Sequence, residues 1–390
     1  MIGRASQSVL QSLAREYPVV VVTGPRQSGK TTLCRASFPE HAYLSLEDPD
    51  VRDLALDDPR SLLGQYAEGA LLDEVQRAPD LLSYLQGIVD ADPRPGRFIL
   101  TGSHQFGLRA GVTQSLAGRA AQVVLLPFSL GELQAGGCAP ESIEDLLLQG
   151  LYPPIHDRGL DASVWYGNYV TTYVERDVRE LIDIRNLSTF RLFIRLCAGR
   201  SGQLLNVSGL ASDCGISRVT AREWLSVLET SFLVTQLRPH FSNFGKRLVK
   251  TPKLYFLDPG LAAWLVGVRQ ADELVHHAQR GPLFETWVVG ELLKGRANRG
   301  LTPNLYFWRD RRGMEVDCVL ERGTKLVPVE IKSGRTVASD FFRGLTRFGA
   351  LAGDGSDPGY VIYGGDRVQQ RRAGRAVPWR EVESLVAANS

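Results

Sequence analysis

The feature that most restricts this chain is a short loop near its start. Gly24-Pro25-Arg26-Gln27-Ser28-Gly29-Lys30-Thr31, followed by Thr32, matches GxxxxGK[ST] at every fixed position. The apolar run Pro18–Thr23 precedes it, and a helix-compatible stretch begins at Lys30. Strand, loop and helix together suit phosphate binding. The glycines let the backbone wrap closely, so its N–H groups point at phosphate oxygens. The helix start turns its positive end toward the same place. Lys30 would neutralise the β/γ oxygens of ATP, and Thr31 would offer its hydroxyl to Mg²⁺. Residues 24–32 are therefore the expected cofactor-binding segment.

A second motif fits the first. Ala70-Leu71-Leu72-Asp73-Glu74 reads as an apolar strand ending in two carboxylates. Asp73 would hold Mg²⁺, directly or through water, and Glu74 would act as general base on the attacking water. Ile99-Leu100-Thr101-Gly102-Ser103 ends another strand, where Thr101, Ser103 or Gln105 would sense the γ-phosphate. Arg119, just before the next apolar run, is a candidate arginine finger into a neighbouring subunit's site, with Arg26 a weaker one.

The chain has 390 residues, too many for one ordinary core. Residues 1–135 alternate apolar strands (18–23, 41–46, 70–72, 97–101, 121–126) with helical stretches, the pattern of a parallel sheet covered on both faces. Residues 136–200 read as a helical connector or lid, interrupted at Pro153-Pro154. In 201–270, two short helices meet at Asp213-Cys214-Gly215 and two strands follow, a winged-helix order. Residues 271–390 read as helix, three strands, helix and strand. The Arg-rich tail after Arg367 is expected to be loosely ordered. The fold class is thus α/β throughout the two ends.

No apolar run is long enough for a membrane span, and the first residues lack a secretion-type apolar stretch. Five scattered cysteines without a CxxC pair point to a reducing cytoplasm. A net charge of +2 announces no nucleic-acid binder, so any such binding rests on local patches. One candidate patch lies between Gln236 and Lys253, where Arg238, Lys246, Arg247, Lys250 and Lys253 occur without an acid and with Phe241 and Phe244 interleaved. As the wing of a winged helix it would neutralise DNA phosphates, joined by Arg218 and Arg222 on the preceding helix. Trp224, Leu225 and Leu228 read as core.

The last block carries an acidic constellation. Asp317 lies in an alternating apolar stretch, and Glu330-Ile331-Lys332 follows thirteen residues later. Strand periodicity puts Glu330 and Lys332 on one face. Asp317 and Glu330 would share Mg²⁺ or Mn²⁺, and Lys332 would orient water or stabilise developing phosphorane charge. Glu285 on the preceding helix is a further carboxylate, with Glu291 competing for that place. Arg309, Arg311, Arg312, Arg335 and Trp308 would hold a DNA backbone nearby. His276-His277 has no third ligand at suitable spacing and reads as surface.

These residues carry two resemblances. The loop and acidic strand resemble the AAA+ branch of P-loop ATPases. Val20–Gln27, Leu71–Gln76, Leu100–Ser103, Ser115–Arg119, Tyr169 with Tyr173–Asp177, and Pro252–Asp258 look like the bacterial and archaeal AAA-type ATPases with a C-terminal domain of unknown function. That resemblance covers nearly the whole chain and implies self-association as a ring or hexamer. The set Glu285, Asp317, Glu330 and Lys332 resembles the PD-(D/E)xK nuclease fold, with a spacing similar to archaeal Holliday-junction resolvases. The proline that names the motif is missing before Asp317. Three functions remain open from these residues: an ATP-driven protein acting on branched or single-stranded DNA, an ATP-gated metal-dependent nuclease, and a regulatory ATPase that binds protein through an inactive nuclease-like scaffold.

Overall fold

Four valines and a threonine, all buried, make the strand β1 (Val19–Thr23). Their side chains alternate between two separate apolar clusters. Val19 and Val21 join the cluster of α3 (Pro49–Asp57), α4 (Pro59–Gly64) and α5 (Leu81–Ala91), through Ala55, Leu62, Leu63 and Leu85. Val20 and Val22 join the cluster of α1 (Gln7–Ala14) and α2 (Lys30–Ser37), through Leu10, Leu33 and Cys34. A strand buried on both faces has no use for polar alternation, which is why the run is uninterrupted.

The computed structural model describes residues 2–103, 115–174, 186–240, 250–310 and 313–387. It divides into two compact units: Met1–Phe128 with Thr230–Phe232 and Ala297–Leu301, and Ser129–Glu229 with Leu233–Arg296 and Thr302–Ser390.

In the first unit, β2 (Ala42–Ser45), β3 (Ala70–Asp73), β4 (Phe98–Gly102) and β5 (Ala120–Val124) complete a parallel sheet in the order β2-β3-β4-β1-β5. β4 lies between β1 and β3, with Val22 opposite Thr101 and Leu72 opposite Leu100. The ends of β1, β3 and β4 therefore reach one edge of the sheet together, which is where α/β sheets bind ligands.

In the second unit, helices Val207–Cys214 and Arg218–Thr230 are joined at Gly215, whose φ of 66° makes the helix-ending turn. β6 (Val234–Leu237) and β7 (Lys253–Phe256) pair antiparallel. Trp224 is buried edge-on to Phe190 and Phe193, and Leu225 and Leu228 are buried with it. Pro153-Pro154 opens a helix, Pro153–Arg158, at the turn where a missing N–H costs nothing.

The same unit holds a mixed sheet of β8 (Leu305–Arg309), β9 (Glu315–Arg322), β10 (Lys325–Lys332), β11 (Gly359–Tyr363), β12 (Gln369–Arg371) and β13 (Gly374–Pro378), in the order β12-β13-β11-β10-β9-β8. The tail expected to be loose is thus part of the sheet. Ala376 and Val377 are buried against β11, and a side chain at Gly374 would run into the Gly359 carbonyl. Arginine content misled here because β12 and the turn before β13 keep their arginines at the exposed edge. No helix among the described residues is long and apolar enough to cross a membrane.

Candidate functional site

The loop after β1 is shaped by residues in left-handed conformations: Gln27 has φ 62° and Gly29, at the start of α2, has φ 89°. Gly24 approaches β5 so closely that a side chain would collide with the Leu125 carbonyl. Arg4 ties the loop down from outside, donating to Ser28 O and Leu126 O, both at 2.6 Å. Lys30 is buried and its Nζ donates to Gly24 O (3.1 Å) and Pro25 O (2.9 Å). Burial lowers its pKa, opposed by Glu74 and Asp73. Ser28 Oγ is buried and has no partner among the described residues. A buried ammonium, an orphaned hydroxyl and loop amides at a helix start form a donor set that fits a polyphosphate.

Thr31 Oγ1 donates toward Asp73, 2.9 Å from Oδ2 and 3.0 Å from Oδ1. Tyr43 donates to Asp73 Oδ2 at 2.8 Å, and Thr101 donates to Oδ1. Thr31 and Asp73 side by side fit a hydrated Mg²⁺. Glu74 adopts φ 57°, a strained geometry for a side chain of its size. Thr101 Oγ1 accepts from its N–H at 3.3 Å, Ser103 donates to its Oε2 at 3.0 Å, and Gln76 donates to the same oxygen. Burial would raise the Glu74 pKa, but Lys30, Gln76, Arg26 and Ser103 outweigh it and hold the carboxyl below its usual value. Gln105, the third sensor candidate, lies outside the described residues.

Arg119 is engaged within its own unit. Its guanidinium donates through Nε and Nη2 to Asp90 on α5, at 2.9 Å from Nη2, and through Nη1 to Ala117 O at 3.0 Å. Arg26 lies 3.7 Å from Glu47.

The acidic residues of the second unit do assemble. Lys332 Nζ lies 2.7 Å from Glu330 Oε2 and 3.2 Å from Asp317 Oδ2. Asp317 Oδ2 also accepts from Ile331 N at 2.8 Å. Burial and Asp317 together push Glu330 above the usual carboxylate range. On the Glu285 side the finding was unexpected. Lys253 of β7, expected in a solvent-facing basic wing, is 3% exposed and contacts Glu285 Oε1 (3.0 Å) and Glu315 Oε1. Tyr255, on the same strand face, donates to Glu285 Oε1 at 2.5 Å. Burial alone would lower the Lys253 pKa, yet Glu285, Asp317 and Glu315 raise it above its ordinary value. Glu291 is buried elsewhere, accepting from Leu130 N at 2.8 Å and facing Lys294. Among the described residues no group of three His, Cys, Asp or Glu is arranged to hold a metal ion. With ammonium groups already on Glu285, Asp317 and Glu330, this donor set does not fit a divalent ion.

Family models match an AAA domain at residues 16–134, a domain of unknown function (DUF8612) at 140–272 and a domain of unknown function (DUF4143) at 280–382. Uncharacterized proteins of Mycobacterium tuberculosis (Rv2008c) and Mycobacterium bovis (Mb2031c) are each 33% identical over 339 residues, spanning 85% of this chain and 74% of theirs. The chain belongs to the AAA+ ATPases with a C-terminal DUF4143 domain. This ATPase is also similar to the Walker-type ATPase PABY2304 of Pyrococcus abyssi (17% identity, TM-score 0.48, 67% of this chain and 94% of that one). AMPPCP-bound DnaA from Aquifex aeolicus is more distant (15%, TM-score 0.28, 57% and 85%). Membership implies a nucleotide and Mg²⁺ at the loop.

Several residues of the ATPase that touch these sites escaped the sequence reading. Arg4 and Tyr43 belong to no spaced motif, and Gln76 closes the family-like stretch Leu71–Gln76 without its contact to Glu74 being announced. Lys253 and Tyr255 left one usable signal, their i, i+2 spacing on a strand, and Glu315 and Asp317 left the same one. Trp308, expected beside DNA, is instead core, edge-on to Phe348. Arg218, Arg222, Arg238, Lys250 and Arg335 are exposed, as are His276 and His277. Phe241, Phe244, Lys246, Arg247, Arg311 and Arg312 lie outside the described residues.

Proposed function

We propose that this ATPase hydrolyses ATP at residues 24–32 and applies the cycle to DNA. Lys30 neutralises the phosphate oxygens, and Thr31 and Asp73 hold Mg²⁺, which supplies charge neutralisation on the transferred phosphoryl group. Glu74 accepts a proton from the attacking water, and the cations and donors around it keep it ionised for that task. Thr101 and Ser103 link the end of β4 to the same two acids and serve as γ-phosphate sensors. In a ring or hexamer, Arg119 would leave Asp90 for a neighbour's site. The five free cysteines suit a reducing cytoplasm.

The observation that carries the DNA reading is the exposed pair Arg218 and Arg222, one turn apart on the second helix of a helix–turn–helix. The test is fluorescence anisotropy with single-stranded, forked and four-way DNA. Binding that weakens steeply with salt, and weakens further in Arg218→Ala/Arg222→Ala, is expected. No affinity at low salt and no stimulation of ATP turnover by any of these DNAs would sink it. A second reading, a regulatory ATPase that binds protein through an inactive nuclease-like scaffold, is favoured by the lysine lodged in the acidic cluster. The ATP-gated nuclease is the weakest of the three, since it needs the divalent ion that this cluster does not fit.

A further inference from the structure

We infer that Lys253 is the resident cation on the Glu285 side of the acidic cluster, supplying to Glu285 and Glu315 the positive charge that a divalent ion would bring to the cluster in a metal-dependent nuclease. Four carboxylates converge there: Glu285, Glu315, Asp317 and Glu330. Two ammonium groups divide them. Lys332 takes Asp317 and Glu330, and Lys253 takes Glu285 and Glu315. Arg309 Nη1 adds a third cation, 3.0 Å from Glu315 Oε2. A divalent ion entering this set would meet positive charge at every carboxylate.

Lys253 is held by more than charge. It lies on β7 between register partners, opposite Leu237, and its strand neighbour Leu254 exchanges backbone bonds with Gly202 and Gln203. Tyr255, two residues on, binds the same Glu285 oxygen. The Phe307 ring centroid lies 5.7 Å from Lys253 Nζ, so part of its shell is apolar. An exposed lysine that drifted onto an acid would have none of these supports. A buried ammonium with two carboxylate contacts is favourable only where every partner is in place, and here they are. The cluster therefore pins β7 to the sheet β8–β10 and the helix Arg280–Ala297, and the nuclease-like module is a closed scaffold.

The test is Mn²⁺ uptake by the full chain without nucleotide, followed by electron paramagnetic resonance. The proteins compared are wild type, Asp317→Asn, Lys253→Arg, Lys253→Ala and the double variant Lys253→Ala/Asp317→Asn. Wild type and Lys253→Arg are expected to show no uptake that depends on Asp317. Lys253→Ala is expected to gain a site about tenfold or more tighter than any in wild type, lost again in the double variant. Wild-type uptake that Asp317→Asn abolishes would overturn the inference. So would a folded Lys253→Ala that takes up no more Mn²⁺ than wild type. If Lys253→Ala fails to fold, Lys253→Met, which keeps the aliphatic stem and removes the charge, takes its place with the same two outcomes.

Discussion

Thr31 and Asp73 share a hydrogen bond of 2.9 Å that joins the start of α2 to the end of β3. The two residues come from separate motifs, and the parallel register of β1, β4 and β3 brings them together. Both are positioned before any ion arrives, so little rearrangement is needed on binding. That is the arrangement expected of a preorganised hydrolytic site.

Lys30 and Glu74 should fail in different ways. Lys30→Ala removes the buried ammonium and is expected to abolish most nucleotide binding. Glu74→Gln keeps the shape and the Ser103 contact but cannot take a proton. Nucleotide affinity should stay near wild type while turnover falls on the order of 10²-fold or more. Equilibrium binding of a fluorescent ATP analogue and steady-state phosphate release separate the two. Wild-type turnover in Glu74→Gln would remove Glu74 from the role of base.

Tyr43 positions Asp73 from the solvent side. Tyr43→Phe leaves the ring and deletes one donor to a carboxylate oxygen. Partners of metal-binding carboxylates cost 10–100-fold when lost, and with Tyr43 partly exposed about tenfold is expected. The loss should appear as a higher Mg²⁺ requirement for turnover, restored at saturating Mg²⁺. An unchanged Mg²⁺ titration would show that Thr31 and Thr101 hold Asp73 alone.

Gly344 opposes its own helix. It lies in the helix Arg343–Ala352, where alanine is normally favoured over glycine by up to about 1 kcal/mol. A Cβ at this position would stand 2.6 Å from the Glu315 carbonyl oxygen and would also strike the Glu330 carboxylate. Overpacking of this kind costs about 1–3 kcal/mol, which exceeds the gain. Gly344→Ala is therefore expected to lower the melting temperature, measured by circular dichroism. A rise would mean that the Glu315 backbone yields.

His156 gives the second unit a pH dependence. Burial lowers its pKa below the usual value of 6.5, although its Nε2 faces Gly150 O at 2.8 Å. Below about pH 6.5 the unfolded chain takes up a proton that the folded chain resists, so stability falls as pH falls. His156→Gln keeps an N–H donor for Gly150 and removes the titration. Between about pH 7.5 and 5.5 it should lose less melting temperature than wild type. Equal losses would assign the acid sensitivity to other groups.

The nucleotide site was legible because its chemistry is contiguous. Eight residues from Gly24 to Thr31 hold the turn, the glycines, the charge and the hydroxyl within one loop. The strand ending in Asp73-Glu74 is equally local, and so are the apolar runs of the two sheets. The tail strands β12 and β13 were missed because β12 is a three-residue edge strand decided by its neighbour, and β13, five residues long, is held by its pairing with β11 rather than by an apolar run of its own. Arg119 was placed correctly before its strand, but Asp90, its partner, is 29 residues away and no spacing announces it. Lys253 is the sharpest case. In the sequence it is one of five basic residues without an acid among them, which is how a solvated phosphate-binding wing reads. Its partner Glu285 lies 32 residues on. Whether a lysine is solvated or buried against carboxylates depends on which distant strand and helix enclose it. The sequence by itself determined the family, the loop and the acidic pair Asp73-Glu74, because those are set by bonds along the chain. Only the tertiary structure decided which cation the C-terminal acids hold, because that is set by burial and by Coulomb contacts between segments far apart in sequence.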